Sequence, residues 1–287
     1  MKSISTLVSD IRDRLTSSTP FDADTVNQFS HNLATKLANR LSAENGRPTL
    51  RMSNLGTKCD RKLWYSVNKP EFAEPLPPSA RLKFLFGDIL EEVLLFLARA
   101  SGHRVESEQA EINLHGVTGH IDAIVDGNLV DVKSASSYGF RKFKEHGLEQ
   151  DDPFGYLTQV DGYLAGSVGN PDLVDHTRSH FLAVDKQLGH ITLDTYPRRL
   201  VDYEALVERK KEMLAFPQPP SRGFDDEPDG SSGNRKLCLA CSYCQFKQAC
   251  WPGIRAFSYS RKPVFLTRVV REPKVPEITM TEALADD

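Results

Sequence analysis

The stretch Thr118–Ser134, TGHIDAIVDGNLVDVKS, carries two carboxylates and an ammonium in a pattern that can bring them together. Asp-Gly between two apolar arms is a tight-turn signal, because that turn needs positive φ, and the stretch is expected to form a β-hairpin. Side chains on a strand repeat every two residues, so Asp131 and Lys133 share a face. A two-residue loop, whether Asp126-Gly127 or Gly127-Asn128, pairs Asp122 onto that same face, whereas a three-residue loop turns it to the other. A third acid precedes them. On the helix expected over Ala80–Ala100, Leu82, Leu85, Phe86, Ile89, Val93, Phe96 and Leu97 form one apolar stripe. Glu91 lies opposite, among Phe84, Gly87, Leu95 and Ala98, where a carboxylate is out of place unless it does chemistry. Glu92, beside Asp88 and Arg99, reads as a solvated edge. The hard oxygens of Glu91, Asp122 and Asp131, with the backbone carbonyl of Val132, suit Mg²⁺ or Mn²⁺. Such an ion lowers the pKa of a bound water and neutralises charge on a phosphate oxygen, while Lys133 would polarise the attacking water. The D-x-K tripeptide alone is common. The hairpin phase, Asp122 and the isolated Glu91 make it informative.

A second constellation is made of thiols. Four of the five cysteines crowd between Cys238 and Cys250, and Cys59 stands far upstream in LGTKCDRKLWYSV. Cys241-x2-Cys244-x5-Cys250 completes a set of four with either Cys59 or Cys238. Four thiolates suit tetrahedral Zn²⁺ or a [4Fe–4S] cluster equally well. Metal ligation is favoured over disulfides because the start, MKSISTLVSDIRDRL, lacks the apolar core of a secretory signal and no apolar run is long enough to span a bilayer. A cytoplasmic protein that does not enter a membrane is the expectation.

The elements that must position these groups follow from periodicity. Ile4, Leu7, Val8, Ile11 and Leu15, then Val26, Phe29, Leu33, Leu37 and Leu41, predict two N-terminal helices separated at Thr19-Pro20. A short helix is expected after Cys59, and strands over Arg104–Leu114. Ser134–Gly147 reads as a basic, flexible stretch. A helix is expected over Pro153–Ala165, with Gln159 and Tyr163 four apart on one face. Strands are expected over His180–Val184 and His190–Thr195, a helix over Val201–Phe216, and a linker over Pro217–Asn234. Pro263–Asp287 reads as a partly disordered tail with an acidic end. The chain has 287 residues, 26% of them charged, and a net charge of −3. Its overall electrostatics therefore do not announce a nucleic-acid binder. Lys133, Arg141, Lys142 and Lys144 form a local basic run that can track phosphates. Trp64, Tyr65, Phe140, Tyr156 and Tyr163 can stack bases, although core packing is the more ordinary role for each.

Taken in order, Gly87-x3-Glu91, GHID ending in Asp122, Asp131-Val132-Lys133 and Gln159-x3-Tyr163 resemble the PD-(D/E)XK nucleases, most closely the RecB-like branch. The four-cysteine pattern, with CDRKLWY around Cys59, is similar to the iron–sulfur staple of CRISPR-associated RecB-like exonucleases and AddB-type nuclease domains. The resemblance covers roughly Cys59 to Cys250. It implies an α/β fold, a restriction-endonuclease-like mixed central sheet flanked by helices, with a helical N-terminal addition over 1–50, a nuclease domain over 51–258 and a tail over 259–287. It implies that Glu91, Asp122, Asp131 and Val132 bind Mg²⁺ or Mn²⁺, that Lys133 assists the water, and that Gln159 and Tyr163 lie beside the site and help contact DNA. It further implies that Cys59, Cys241, Cys244 and Cys250 hold a [4Fe–4S] cluster, with Zn²⁺ the alternative. The chain departs at one point: many RecB-like nucleases carry a histidine four residues after the glycine. Here that residue is Glu91, with Glu92 competing for the assignment. The expected function is metal-dependent hydrolysis of DNA, most plainly exonucleolytic. A catalytically silent DNA-binding scaffold and a zinc-stabilised interaction protein are the alternatives.

Overall fold

The computed structural model describes residues 2–42, 48–260 and 262–285. The chain forms two compact units: Met1–Gly46 with Leu50–Gly56 and Phe84–Glu208, and Arg47–Thr49 with Thr57–Lys83 and Arg209–Asp287.

The first unit is built on strands β1 (Val105–Glu106), β2 (Glu111–Leu114), β3 (Val117–His120), β4 (Ala123–Val125), β5 (Asn128–Ala135), β6 (Arg178–Asp185) and β7 (Ile191–Pro197). Five of them form a mixed sheet in the order β1-β4-β5-β6-β7, parallel only between β5 and β6, and β2 and β3 form a separate hairpin. Helices flank this sheet: α1 (Leu7–Thr16), α2 (Ala23–Ser42), α3 (Met52–Leu55), the body of α5 (Pro78–Ala100), α6 (Ser137–Lys144) and α7 (Tyr156–Gly166). This is the mixed α/β arrangement that the resemblance implies. Alternation along the central strands divides the core. Ile124, Leu129, Phe181 and Ala183 pack with Phe140 and Phe143 of α6 and Leu157, Val160 and Leu164 of α7. Ala123, Val125, Val130, Val132, Leu182 and Val184 pack with Leu7 and Ile11 of α1 and Leu94, Leu95 and Ala98 of α5. β5 is apolar on both faces because it is an interior strand with a parallel neighbour. Its only interior charges are Asp131 and Lys133.

The turn between β4 and β5 has two residues, Asp126 (φ 49°) and Gly127 (φ 79°), both left-handed as a type I′ turn requires. Asp126 is buried, and its carboxylate is clasped: His103 Nδ1 lies 2.5 Å from Oδ2, and the Arg104 N–H donates to Oδ1 at 3.0 Å. The other imidazole nitrogen of His103 lies 3.0 Å from Asp10 on α1.

Two expectations for this unit change. Ser134–Gly147 is not a flexible stretch. β5 runs on to Ala135, and α6 follows, started by the Ser136 hydroxyl accepting from the Gly139 N–H. Its basic residues had hidden the pair Phe140 and Phe143, both buried. Glu92 is not a solvated edge. It is 4% exposed, more deeply set than Glu91.

The second unit contains α4 (Asp60–Asn68), a five-stranded antiparallel sheet of β8 (Glu227–Pro228), β9 (Arg235–Lys236), β10 (Arg255–Ser258), β11 (Pro263–Arg268) and β12 (Glu277–Ile278), and short helices α9 (Leu239–Ser242), α10 (Lys247–Cys250) and α11 (Met280–Ala285). The helix α8 (Tyr203–Ala215) carries the chain from the first set of residues to the second. Where composition suggests a partly disordered tail, residues 263–285 supply two strands and a helix, and Phe265 and Ala283 pack with Leu237 and Ala256. The acidic end, Asp286 and Asp287, lies outside the described residues. Among the described residues, no helix is long and apolar enough to cross a membrane.

Candidate metal centre

The hairpin register decides where the acids stand. Ala123 pairs with Val130, Ile124 with Leu129 and Val125 with Asn128, so Asp122 is opposite Asp131, one step beyond the last pair. Opposed residues share a face, and the two-residue turn thus places Asp122, Asp131 and Lys133 on one side. Asp122 Oδ2 accepts the Val132 N–H at 2.7 Å. Asp131 is 2% exposed and forms an ion pair with Lys133. The oxygen that meets the ammonium, Oδ2, is buried. The Lys133 ammonium also lies 5.0 Å above the ring of Tyr156, an arrangement that steadies a cation.

Glu91 arrives from α5. Its Oε1 accepts from Gln109 Nε2 at 2.7 Å and from Lys36 Nζ at 2.6 Å, and Lys36 also donates to Glu92 Oε1 at 2.8 Å. One turn earlier on α5, Asp88 accepts a bidentate pair from Arg40, at 2.7 and 2.8 Å. No motif or spacing in the sequence points to Lys36 or Gln109. Lys36 is 55 positions from Glu91, and nothing in the local pattern of either helix links them.

The four groups feel one another. Burial pushes the Asp122 carboxyl well above its usual range; repulsion from Asp131 and Glu91 adds to this, and Lys133 and the Val132 N–H oppose it. Burial also raises Glu91, against the pull of Lys36 and with help from Glu92 and Asp131. Lys133 would be lowered by burial, but Asp131 and Asp122 outweigh that and raise it. Four carboxylates, Glu91, Glu92, Asp122 and Asp131, therefore face two ammoniums, Lys36 and Lys133. The donor set is all oxygen, and its negative charge is only partly neutralised. In this chemistry the residues fit a hard divalent cation. Among the described residues, however, no three His, Cys, Asp or Glu side chains stand close enough to hold one ion. Each end of the acidic set is engaged by a protein ammonium instead.

Gln159 and Tyr163 lie on one face of α7, and Gln159 Nε2 donates to the Tyr163 hydroxyl at 3.0 Å. Burial pushes the Tyr163 phenol up to about 12; Gln159 lowers it, and Asp131 and Asp122 raise it, so the pair adjoins the acids. Gly119 packs tightly here: a Cβ there would lie 2.6 Å from Met52 Cβ and 2.8 Å from the Tyr163 ring. Of the aromatic candidates, Trp64, Tyr65, Phe140 and Tyr163 are buried, which fits packing, and Tyr156 is half-buried.

All five cysteines belong to the second unit, unpaired and partly exposed, and among the described residues no three of them stand close enough to hold one ion. Cys59 is the N-cap of α4, its sulfur accepting the Lys62 N–H at 3.4 Å. Gly223 approaches so closely that a Cβ would lie 3.0 Å from that sulfur. Cys244 is raised chiefly by burial, and it senses Cys59 and Cys250. Cys241 is pushed up to about 12 by burial and by Cys238, with which it shares a hydrogen bond. Both Cys59 and Cys238 are thus next to members of the C-terminal trio, and the choice of fourth ligand stays open.

A scan against protein-family models finds no match, and neither does a search of curated proteins. Among solved structures, the crystal structure of SSO0001 is similar at 21% identity and a TM-score of 0.43, over 77% of this chain and 95% of that one. A phage-related exonuclease from Haemophilus somnus 129PT is similar at 16% identity and a TM-score of 0.35, over 59% of this chain and 92% of that one. At TM-scores this low neither likeness bears on activity.

Proposed function

We propose that the chain is a metal-dependent nuclease that hydrolyses DNA phosphodiesters, trimming the ends of single or double strands in recombination, repair or replication. One observation carries the reading: the hairpin register sets Asp122 against Asp131 with Lys133 beside them, in a charge cluster that the protein neutralises only in part. Glu91, Asp122, Asp131 and the Val132 carbonyl would hold Mg²⁺ or Mn²⁺. When bound, such an ion supplies an activated water and a counter-charge for the phosphate. Lys133 stabilises negative charge developing on the phosphate oxygens, and Tyr156 limits where its ammonium can go. Gln159 and Tyr163 fix one wall of the site through their mutual hydrogen bond. Arg141 and Lys142, in the last turn of α6, supply cations for the DNA backbone. The preference for exonuclease over endonuclease rests on the resemblance to RecB-like nucleases. On the same resemblance, Cys241, Cys244 and Cys250 with Cys59 would hold a [4Fe–4S] cluster, or Zn²⁺.

The test uses protein purified anaerobically, Mn²⁺, and end-labelled single- and double-stranded DNA. The wild type is expected to cleave, and Asp131→Ala and Lys133→Ala are expected to abolish cleavage while leaving DNA binding measurable. A wild type that binds DNA without cleaving it would favour a second reading, a catalytically silent scaffold. The engagement of Glu91 by Lys36 is the observation on that side.

A further inference from the structure

On the reading above, Glu91 is a metal ligand, yet Lys36 already occupies it. The helix α2 brings this lysine in. Phe29, Asn32, Lys36 and Arg40 are spaced three and four apart and so share one face. That face runs antiparallel along α5: Phe29 meets Phe96, Lys36 meets Glu92 and Glu91, and Arg40 meets Asp88. Asn32 and Gln28 add bonds to Glu108 at 3.4 Å. Among its described side chains, α2 has none that is fully buried. It is tied to α5 by these ion pairs and by the contact of Phe29 with Phe96, and Phe21, just before the helix, meets the same ring.

The ammonium itself is well enclosed. The Lys36 side chain is 17% exposed, and those of Glu91 and Glu92 are 15% and 5% exposed. A simple structural ion pair would need one carboxylate, whereas Lys36 spans two. The second is special, because Glu92 keeps a further oxygen, Oε2, that is buried and has no hydrogen-bond partner. An ammonium has three protons to donate, and two are in use. A vacant acceptor therefore lies next to the bonds Lys36 already makes.

We infer that Lys36 is a built-in competitor of the divalent cation at Glu91, and that Glu92 is the seat to which it withdraws when the cation enters. In the metal-free protein Lys36 bridges the two carboxylates and offsets part of their repulsion. When a divalent cation takes Glu91, like-charge repulsion drives the ammonium off it. Lys36 then pairs with both oxygens of Glu92, and no buried charge is left alone. This explains why two adjacent glutamates are present where one ligand is needed. Glu91 serves the ion, and Glu92 is a positioning residue that serves the lysine. The metal affinity of the site is set by this exchange as well as by the ligands.

The inference rests on the nuclease reading, and Mn²⁺ binding separates the two. Binding is followed by loss of the free-ion electron paramagnetic resonance signal, at constant ionic strength, with the full-length protein. Lys36→Met is expected to tighten Mn²⁺ about tenfold, since a competing positive charge has gone. Glu92→Gln is expected to weaken it several-fold, because Lys36 is then confined to Glu91. Arg40→Gln removes a positive charge from the same face of α2 and is expected to change affinity less than twofold. Lys36→Gln serves if the methionine variant does not fold. Unchanged or weaker Mn²⁺ binding in the Lys36 variants overturns the inference, and so does equal tightening by Arg40→Gln, which would trace the effect to net charge. If Asp131→Asn abolishes Mn²⁺ binding while Lys36→Met has no effect, the nuclease reading stands and this inference falls. A wild type that binds no Mn²⁺ removes both.

Discussion

Replacing Asp122 separates the function of this centre from its contribution to stability. In Asp122→Asn the amide oxygen can still accept the Val132 N–H that the carboxylate accepts at 2.7 Å, so the hydrogen bond survives. The negative charge does not, and with it go repulsions from Asp131 and Glu91 and one attraction to Lys133. A pair of unit charges a few ångströms apart is worth about 1 kcal/mol in water and about 4 kcal/mol near a protein surface. Two repulsions outnumber one attraction, and Asp122 keeps some contact with solvent, so the net relief is about 1 kcal/mol. The metal-free asparagine variant should therefore melt about 2–4 °C above the wild type. Asp122→Ala gains the same relief but leaves the Val132 N–H without its acceptor, which costs about 1–3 kcal/mol. It should melt at or below the wild type. Both variants lose one of the three carboxylates proposed to hold the cation, and on that proposal cleavage should fall by about 10³-fold, or ~4 kcal/mol of transition-state stabilisation. Scanning calorimetry with divalent cations withheld, paired with end-labelled DNA cleavage, tests all of this. An asparagine variant that melts lower than the wild type and still cuts DNA would refute the reasoning, because the carboxylate would then be structural.

Burial lowers His180 to about 4, and its Nε2 has no partner. Its folded pKa thus lies below the unfolded value of about 6.5. The unfolded chain binds the proton first, so stability is full above about pH 6.5 and is lost as pH falls towards 4, by about 3 kcal/mol. Denaturant titrations across that window should show the loss, and His180→Phe should flatten it. Gly119→Ala forces a methyl against Met52 and Tyr163. It should destabilise by about 1–3 kcal/mol and depress cleavage, read by melting and by DNA assay. Cys59→Ala should abolish bound iron or zinc while Cys238→Ala retains it, measured by elemental analysis; the reverse would move the fourth ligand to Cys238.

The hairpin was legible because its register depends on local chemistry. Asp126-Gly127 admits few turns, and once the loop has two residues the side of every later residue follows. Spacing alone puts Asp131 and Lys133 on one face, and the two-residue turn of the structure brings Asp122 to them. Glu91 and Glu92 were harder. A helical wheel describes a residue by its own helix, and the partner that buries Glu92 comes from α2. Basic residues misled the reading of α6, where two phenylalanines three apart bury one side and leave the lysines outside. The strands of residues 263–278 were hidden for a related reason: short antiparallel segments gain stability from neighbours such as Leu237 and Ala256, and their own composition says little.

The clasp on the hairpin tip has a consequence for the acids far down its arms. A slip of a single residue between β4 and β5 would turn Asp122 away from Asp131 and scatter the centre without altering any of its members. Asp126 cannot take part in such a slip while His103 and the Arg104 amide grip its carboxylate, and His103 is itself anchored by Asp10 on α1. The first helix, remote in sequence from every acid it serves, thus acts as a stop against mispairing, and damage to it would be felt as lost alignment in a site it does not touch.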